Sequence, residues 1–206
     1  GRMEKDLAKL VRRSSQGSTG LVDAFKRRMQ LLEERGYTDG WRLTQKGERL
    51  RFVYNELDLV LAESVDSGLM VDLDPPSLAA VTTMFIYEPR LSDNIGDWPS
   101  ASVATRGDAI LALSDEVGLA EKSYRIEPSR TPDPGFAAVA YDWTEGASLE
   151  DLFGDDEAGA GDFVRNMRQL LDLLRQLRDA YPELAESARG AIRRIDRGVV
   201  AAGGQS

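Results

Sequence analysis

Residues 162–181, DFVRNMRQLLDLLRQLRDAY, carry the clearest structural pattern in the chain. Their large apolar side chains recur in steps of four and three, which places them on one side of an α-helix at about 100° per residue. These side chains are Phe163, Met167, Leu170, Leu174, Leu177 and Tyr181. The spacing predicts a helix that buries this seam in a helical core.

The opposite side of the same helix is polar and carries three arginines. It comprises Arg165, Arg168, Asp172, Arg175, Gln176 and Asp179. Arginines about one turn apart are suited to contact a phosphate backbone. The interspersed aspartates are more typical of a solvated face, so both interpretations stay open at this point.

Apolar spacing and capping residues along the rest of the chain predict an all-α protein. We expect a helical bundle preceded by a partial winged-helix segment with one small β-hairpin or short strand. The helices are predicted at about 18–35, 45–67, 75–88, 101–124, 134–146, 148–153, 162–181 and 182–200. Thr44, Asp74 and Asp133 are predicted N-caps, and Leu119 is expected to face inward from the helix over 101–124. The acidic, glycine-containing stretch 154–161 is predicted to be a loop.

Residues 18–52 have the order of elements that ends many winged-helix domains. A helix is followed by Gly36-Tyr37, a short extended piece at 41–43, and Leu43-Thr44-Gln45-Lys46-Gly47. Its basic residues are Lys26, Arg27, Arg28 and Arg35. A winged helix can bind nucleic acid, but the acidity of the chain favours one used for packing. We therefore predict a tag scar and basic linker helix at 1–17, the winged-helix part at 18–52 and a bundle at 53–206.

Composition excludes several kinds of chemistry. The chain has 206 residues, a net charge of −9, and neither cysteine nor histidine, so thiolate and imidazole catalysis and metal ligation by these groups are excluded. We identify no catalytic residues, and the acidic group Asp151, Asp155, Asp156 and Glu157 is interpreted as a solvated loop, not a metal site. No apolar run approaches the roughly 20 residues of a membrane span, and the composition suits a soluble, cytoplasmic protein.

Several segments together resemble one protein family. They are LTQKGERL at 43–50 with YNELDLVLAE at 54–63, GLMVDLDP at 68–75 with AAVTTMFIYEPR at 79–90, YDWTEGASLEDL at 141–152, and GDFVRNMRQLLDLLRQL at 161–177 with IDRGVVA at 195–201. Their order and spacing are similar to the C-terminal DSHCT domain of superkiller-type ATP-dependent RNA helicases, in particular the HelY-like actinobacterial branch.

The resemblance implies the C-terminal region of a superfamily-two RNA helicase that guides single-stranded RNA leaving two RecA-like motor domains. ATP and Mg²⁺ would then belong to those motors, and no cofactor is expected in this chain, which also lacks the G-x-x-x-x-G-K-[ST] phosphate loop. The expected partners are single-stranded RNA, bound weakly by this chain alone, and the motor domains. Carried over by position, the RNA contacts are Arg165, Arg168, Gln169, Glu88 and Arg90.

Two alternative functions are compatible with the sequence. One is a winged-helix transcription regulator with a helical effector domain, and the other is a structural module that docks another protein through its acidic surface. A regulator would carry its winged helix near the start of its gene, whereas the helicase region would follow a phosphate loop and an Asp-Glu-x-His segment.

Overall fold

The fold is all-α with one short β-hairpin, which confirms the predicted fold class. In this computed structural model the described residues are 20–89, 97–154 and 157–202, with the backbone alone described for 157–161. The helices are α1 (20–34), α2 (Gln45–Leu50), α3 (Asp58–Asp66), α4 (Pro75–Thr83), α5 (Ala101–Ser123), α6 (Ala137–Glu145), α7 (Leu149–Phe153), α8 (Glu157–Ala180), α9 (Ala185–Ile195) and α10 (Gly198–Ala202), with a 3₁₀ turn at Pro182–Leu184. None of the described helices is both long and apolar enough to cross a lipid bilayer.

The chain divides into two compact units. The first comprises 1–48 and 118–128, and the second comprises 49–117 and 129–206. In the first unit, strands β1 (Thr38–Asp39) and β2 (Arg42–Leu43) pair antiparallel, with Thr38 opposite Leu43. Nothing further distinguishes this arrangement as a winged helix, so that assignment and the domain boundaries stay predictions.

Local hydrogen bonds fix the turns of the first unit. Gly36 ends α1 with a φ of 77°, a conformation in which a side chain would be strained. Thr44 caps α2, as predicted, because its Oγ1 accepts from the backbone N–H of Gly47 at 3.2 Å. Gly47 must be glycine, since a Cβ there would lie 2.1 Å from the carbonyl oxygen of Tyr37.

Helix α4 lies at the centre of the second unit, where it packs against α6, α8 and α9. Asp74 caps it as predicted, accepting from the Ser77 backbone N–H at 2.9 Å. The hydroxyls of Thr82 and Thr83 are buried but donate to backbone carbonyls of their own helix. Every residue from 76 to 83 is buried, so α4 is the central helix against which the surrounding helices pack.

The predicted seam of α8 is buried, and its first residue, Phe163, belongs to an aromatic cluster. The Phe163 ring lies 4.9 Å from Trp143, 5.5 Å from Phe153 and 6.2 Å from Phe136, measured between centroids. Trp143 is fixed in turn, because its Nε1 donates to the carbonyl of Ile195 at 3.1 Å. The buried face is wider than predicted, since Asn166, Leu171 and Leu173 are also buried.

The predicted single helix over 45–67 is wrong. Helix α2 ends at Leu50 and α3 begins at Asp58, with a non-helical segment between them. The Asn55 side chain stabilises this break, because its Oδ1 accepts from the Leu57 N–H at 2.8 Å and its Nδ2 donates to the Phe85 carbonyl at 3.1 Å. Such side-chain bonds to the backbone compete with helix formation.

Four other predicted boundaries also need correction. Helix α4 ends at Thr83 instead of near Glu88, and α8 begins at Glu157 instead of after a loop over 154–161. Asp133 does not cap α6, because its carboxylate accepts from Gly135 and α6 begins only at Ala137. The last predicted helix is interrupted between α9 and α10. Leu119, predicted to face inward from α5, is 67% exposed.

Leucines on α8 and α5 test the assignment of the buried face. We expect Leu170→Ala to lower the free energy of unfolding by about 2–5 kcal/mol, because Leu170 is fully buried and its truncation leaves a cavity. The matched control, Leu119→Ala, should change it by no more than about 0.5 kcal/mol. Urea denaturation of both variants measures the difference, and equal effects would contradict the assignment.

Candidate nucleic-acid interface

Helix α8 presents a polar ridge with a depression on each flank. Asp172 lies on the ridge and lines both depressions. Gln169 and Gln176 line the depression on one side, and Arg168 and Arg175 line the one on the other side. The predicted polar stripe of α8 is therefore divided between two surfaces with different chemistry.

The first depression, here called the α8 cleft, has a volume of about 370 Å³. It lies between α8 and three non-helical parts of the chain. These are residues 54–56 between α2 and α3, residues 85–88 after α4, and Arg130 before α6. Its lining residues are Tyr54, Asn55, Glu56, Phe85, Ile86, Glu88, Arg130, Gln169, Asp172, Leu173 and Gln176. The structure thus brings Glu88 and Gln169, two of the predicted site residues, to one cleft.

Carboxylates outnumber cations among the described residues that line the α8 cleft. Glu56, Glu88 and Asp172 contribute negative charge, and among the described lining residues only Arg130 is positive. The Arg130 guanidinium is engaged by an ion pair with Glu56 and by the Phe85 carbonyl at 2.9 Å. The cleft is consequently better suited to neutral polar groups than to a phosphate.

Tyr54 lies at the edge of this cleft and was not identified from the sequence. Its backbone N–H donates to Oε1 of Gln176 at 2.7 Å, which ties the break between α2 and α3 to α8. Its side chain is 79% exposed. This position was assigned to a helix, because the apolar pattern over 45–67 predicted one continuous helix.

The second depression, here called the arginine hollow, has a volume of about 330 Å³. Arg175 forms an ion pair with Asp172 at 2.9 Å, and Asp196 and Val200 line the side opposite α8. Arg168 makes no hydrogen bond or ion pair with any described residue, and its Nε is buried without a partner. An unmade hydrogen bond of a buried donor is costly, so this Nε lowers the stability of the chain where it lies.

Arg165 lies apart from both depressions. Its side chain is 60% exposed and lies 3.5 Å from Asp162, an exposed pairing of the kind that contributes little to stability. The fifth predicted residue, Arg90, lies outside the described residues. The described site residues therefore occupy three neighbouring places: Glu88 and Gln169 in the cleft, Arg168 in the hollow, and Arg165 on the exposed surface.

No group of three or more potential metal ligands occurs among the described residues. Of the acidic group noted in the sequence, Asp151 has a local structural role. It forms a capping box with Ser148 at the start of α7, and the hydrogen bonds from Ser148 hold the pKa of the Asp151 carboxyl below its ordinary value. The other three side chains lie outside the described set.

The first unit has an exposed apolar surface. Leu21 is 74% exposed, Phe25 53% and Trp41 84%, with the Phe25 and Trp41 rings stacked at 6.2 Å. A groove of about 230 Å³ lies between α1 and the hairpin, lined by these rings and by Met29. An apolar patch of this kind is typical of a surface that another molecule or domain covers.

Comparison with known proteins identifies the class of this chain: residues 40–202 match the DSHCT (NUC185) domain, and the chain belongs to that family. It is 38% identical to "Probable helicase HelY" of Mycobacterium tuberculosis (strain CDC 1551 / Oshkosh), over 97% of this chain and 24% of that protein. It is 36% identical to "Probable helicase HelY" of Mycobacterium leprae (strain TN), with the same coverage. It is 30% identical to "DExH-box ATP-dependent RNA helicase DExH15 chloroplastic" of Arabidopsis thaliana, over 73% of this chain and 14% of that protein.

These relatives confirm the resemblance found in the sequence, including its HelY-like character. The chain spans about a quarter of the length of the HelY proteins it matches. It is therefore homologous to one region of these helicases.

The unpartnered Nε of Arg168 generates a stability prediction. We expect Arg168→Met to leave the free energy of unfolding unchanged or to raise it by up to about 1 kcal/mol, because methionine keeps much of the apolar stem and removes a buried donor with no partner. Arg175→Met is the matched control, and it should cost at most about 1 kcal/mol because its exposed ion pair with Asp172 is lost. Chemical denaturation measures both, and a loss well above 1 kcal/mol in Arg168→Met would show that Arg168 has a structural partner.

Proposed function

We propose that this chain is the C-terminal RNA-path region of an ATP-dependent superfamily-two RNA helicase, where it guides single-stranded RNA leaving the motor domains. The observation that carries the proposal is the α8 surface, on which a polar cleft and an arginine hollow flank one exposed ridge. Membership of the DSHCT family and the names of the relatives support it.

In this proposal the two flanks of α8 have different tasks. Arg168, and Arg165 on the exposed surface, contact phosphates, because guanidinium groups pair with phosphate oxygens in a bidentate geometry. Gln169 and Glu88 face the bases, since amide and carboxylate groups hydrogen-bond to the edges of unstacked bases. Arg90, which the structure does not describe, joins Glu88 only through the family resemblance.

The net charge of −9 limits the affinity of the chain for RNA. Phosphate neutralisation supplies most of the free energy of non-specific binding, and the acidic surface opposes it. We therefore expect weak binding that depends strongly on salt, as suits a surface along which RNA has to move.

ATP hydrolysis is assigned to the motor domains of the full-length protein. The sequence of this chain lacks the phosphate loop that would hold ATP and Mg²⁺, so its residues do not fit that cofactor pair. We propose that these motor domains also cover the exposed apolar surface around Phe25 and Trp41, and that the protein acts in the cytoplasm. The absence of cysteine suits that compartment.

The alternative of a winged-helix transcription regulator receives less support. The DSHCT match covers residues 40–202 and includes every helix from α2 to α10. Of the described elements, only α1 and β1 lie outside it. Homology along the bundle itself, and to proteins named as helicases, favours the helicase assignment.

A double arginine variant tests the proposed phosphate contacts. We expect Arg165→Ala with Arg168→Ala to weaken binding of single-stranded RNA and to flatten its salt dependence, by about 0.7 in the slope of log K against log salt for each lost contact. Fluorescence anisotropy over a range of salt concentrations measures both effects, and a thermal melt checks that the bundle stays folded.

Arg193→Ala with Arg194→Ala is the charge-matched control for this experiment. Both arginines lie in the last turn of α9, and neither lines the α8 cleft or the arginine hollow. This variant should keep most of the affinity of the parent chain. Equal losses in the two double variants would indicate an effect of net charge alone and would contradict a phosphate path along α8.

A further inference from the structure

We propose that Tyr54 is a stacking platform for one unpaired nucleobase at the edge of the α8 cleft, and that the cleft accepts the edge of that base instead of a phosphate. The proposal rests on the RNA-path function proposed above, since it names a further residue and a chemical preference for the same surface. Neither the sequence pattern nor the family resemblance assigned a role to Tyr54.

The backbone of Tyr54 is fixed although its ring is exposed. Its N–H is held by Gln176, the preceding Val53 is 5% exposed, and the following Asn55 is bonded to the Phe85 carbonyl. An exposed aromatic side chain by itself is common on protein surfaces. At Tyr54 the ring stands on an anchored segment beside a cleft, so little backbone entropy remains to be lost when a base stacks on it.

The interior of the cleft complements a base edge. Its apolar wall includes Phe85 and Leu173, both of which are buried. The adjacent polar groups are the amide of Gln169, the carboxylate of Glu88, and the carboxylate of Asp172, whose Oδ1 is also paired with Arg175. A carboxylate accepts hydrogen bonds and repels phosphate, so the partner that fits is a flat ring bearing N–H donors.

This chemistry predicts a preference among the bases. Adenine, guanine and cytosine each have an exocyclic amino group that can donate to a carboxylate. Uracil has no amino group, and the carbonyl oxygens on both sides of its single N3–H donor would face the carboxylates unfavourably. We therefore expect the cleft to favour amino-bearing bases, and purines in particular, because their larger rings cover more of the tyrosine face.

The test uses the 206-residue chain and a single-stranded RNA that contains one 2-aminopurine, whose fluorescence is quenched when it stacks on an aromatic ring. Tyr54→Ala should abolish the quenching and weaken binding by roughly 5- to 150-fold, the range expected for one lost base–aromatic stack. Tyr54→Phe should restore both, because stacking requires the ring and not the hydroxyl. An oligouridine of the same length should bind more weakly to the parent chain.

Phe52→Ala is the matched control, because Phe52 belongs to the same segment and is 49% exposed but does not line the cleft. It should leave binding and quenching unchanged, and thermal melts of all three variants should agree with that of the parent chain. If Tyr54→Phe is as defective as Tyr54→Ala, the hydroxyl is responsible and the stacking proposal is wrong.

Two further outcomes separate this inference from the proposed function. If Tyr54→Ala binds RNA normally while Arg165→Ala with Arg168→Ala is impaired, the stacking platform is wrong and the RNA path stands. If the parent chain shows neither binding nor quenching at low salt, where phosphate contacts are strongest, both proposals fail.

Discussion

The rotational position of α8 is the constraint on which both candidate surfaces depend. Phe163, near its described start, packs among Phe136, Trp143 and Phe153, and the buried leucines continue the same face toward Tyr181. A turn of one residue would swing the helix by about 100° and place charged side chains in the core. With the buried face fixed, Asp172 lies on the ridge, and the glutamines and arginines lie on opposite flanks.

The polar side chains that the sequence places in one stripe of α8 lie on two surfaces, the α8 cleft and the arginine hollow, which suit different chemical groups. Arg168 and Arg175 line the hollow, whereas the described lining of the cleft on the other flank has more carboxylates than cations. A protein of net charge −9 can still contact RNA if phosphates meet the arginines and bases meet the acidic cleft. Weak overall binding is expected, since few guanidinium groups are available against the net negative charge of the chain.

The sequence predicted the parts that local rules determine. The seam of α8 follows from its spacing, and the caps at Asp74 and Thr44 follow from short-range hydrogen bonding. The break at residues 51–57 was not predicted, because apolar spacing continues through it and no glycine or proline marks it. Its one local signal is Asn55, whose Oδ1 accepts from the N–H of Leu57 two residues on, a bond that competes with helix formation. The second bond joins Asn55 to Phe85, 30 residues away, which no local pattern shows, so Tyr54 was assigned to a helix and the cleft was not foreseen. Glu88 and Gln169 were identified only through the family resemblance, and the structure brings them to one cleft.

Photo-crosslinking of single-stranded RNA to this chain shows whether the bases lie along the exposed side of α8. RNA containing 4-thiouridine and 6-thioguanosine, mapped by mass spectrometry after irradiation, reports which residues lie beside the bases. We expect crosslinks at Tyr54 and on the exposed side of α8 between 165 and 176. Crosslinks confined to α1 and the hairpin, around Phe25 and Trp41, would contradict it and would move the RNA contact to the first unit.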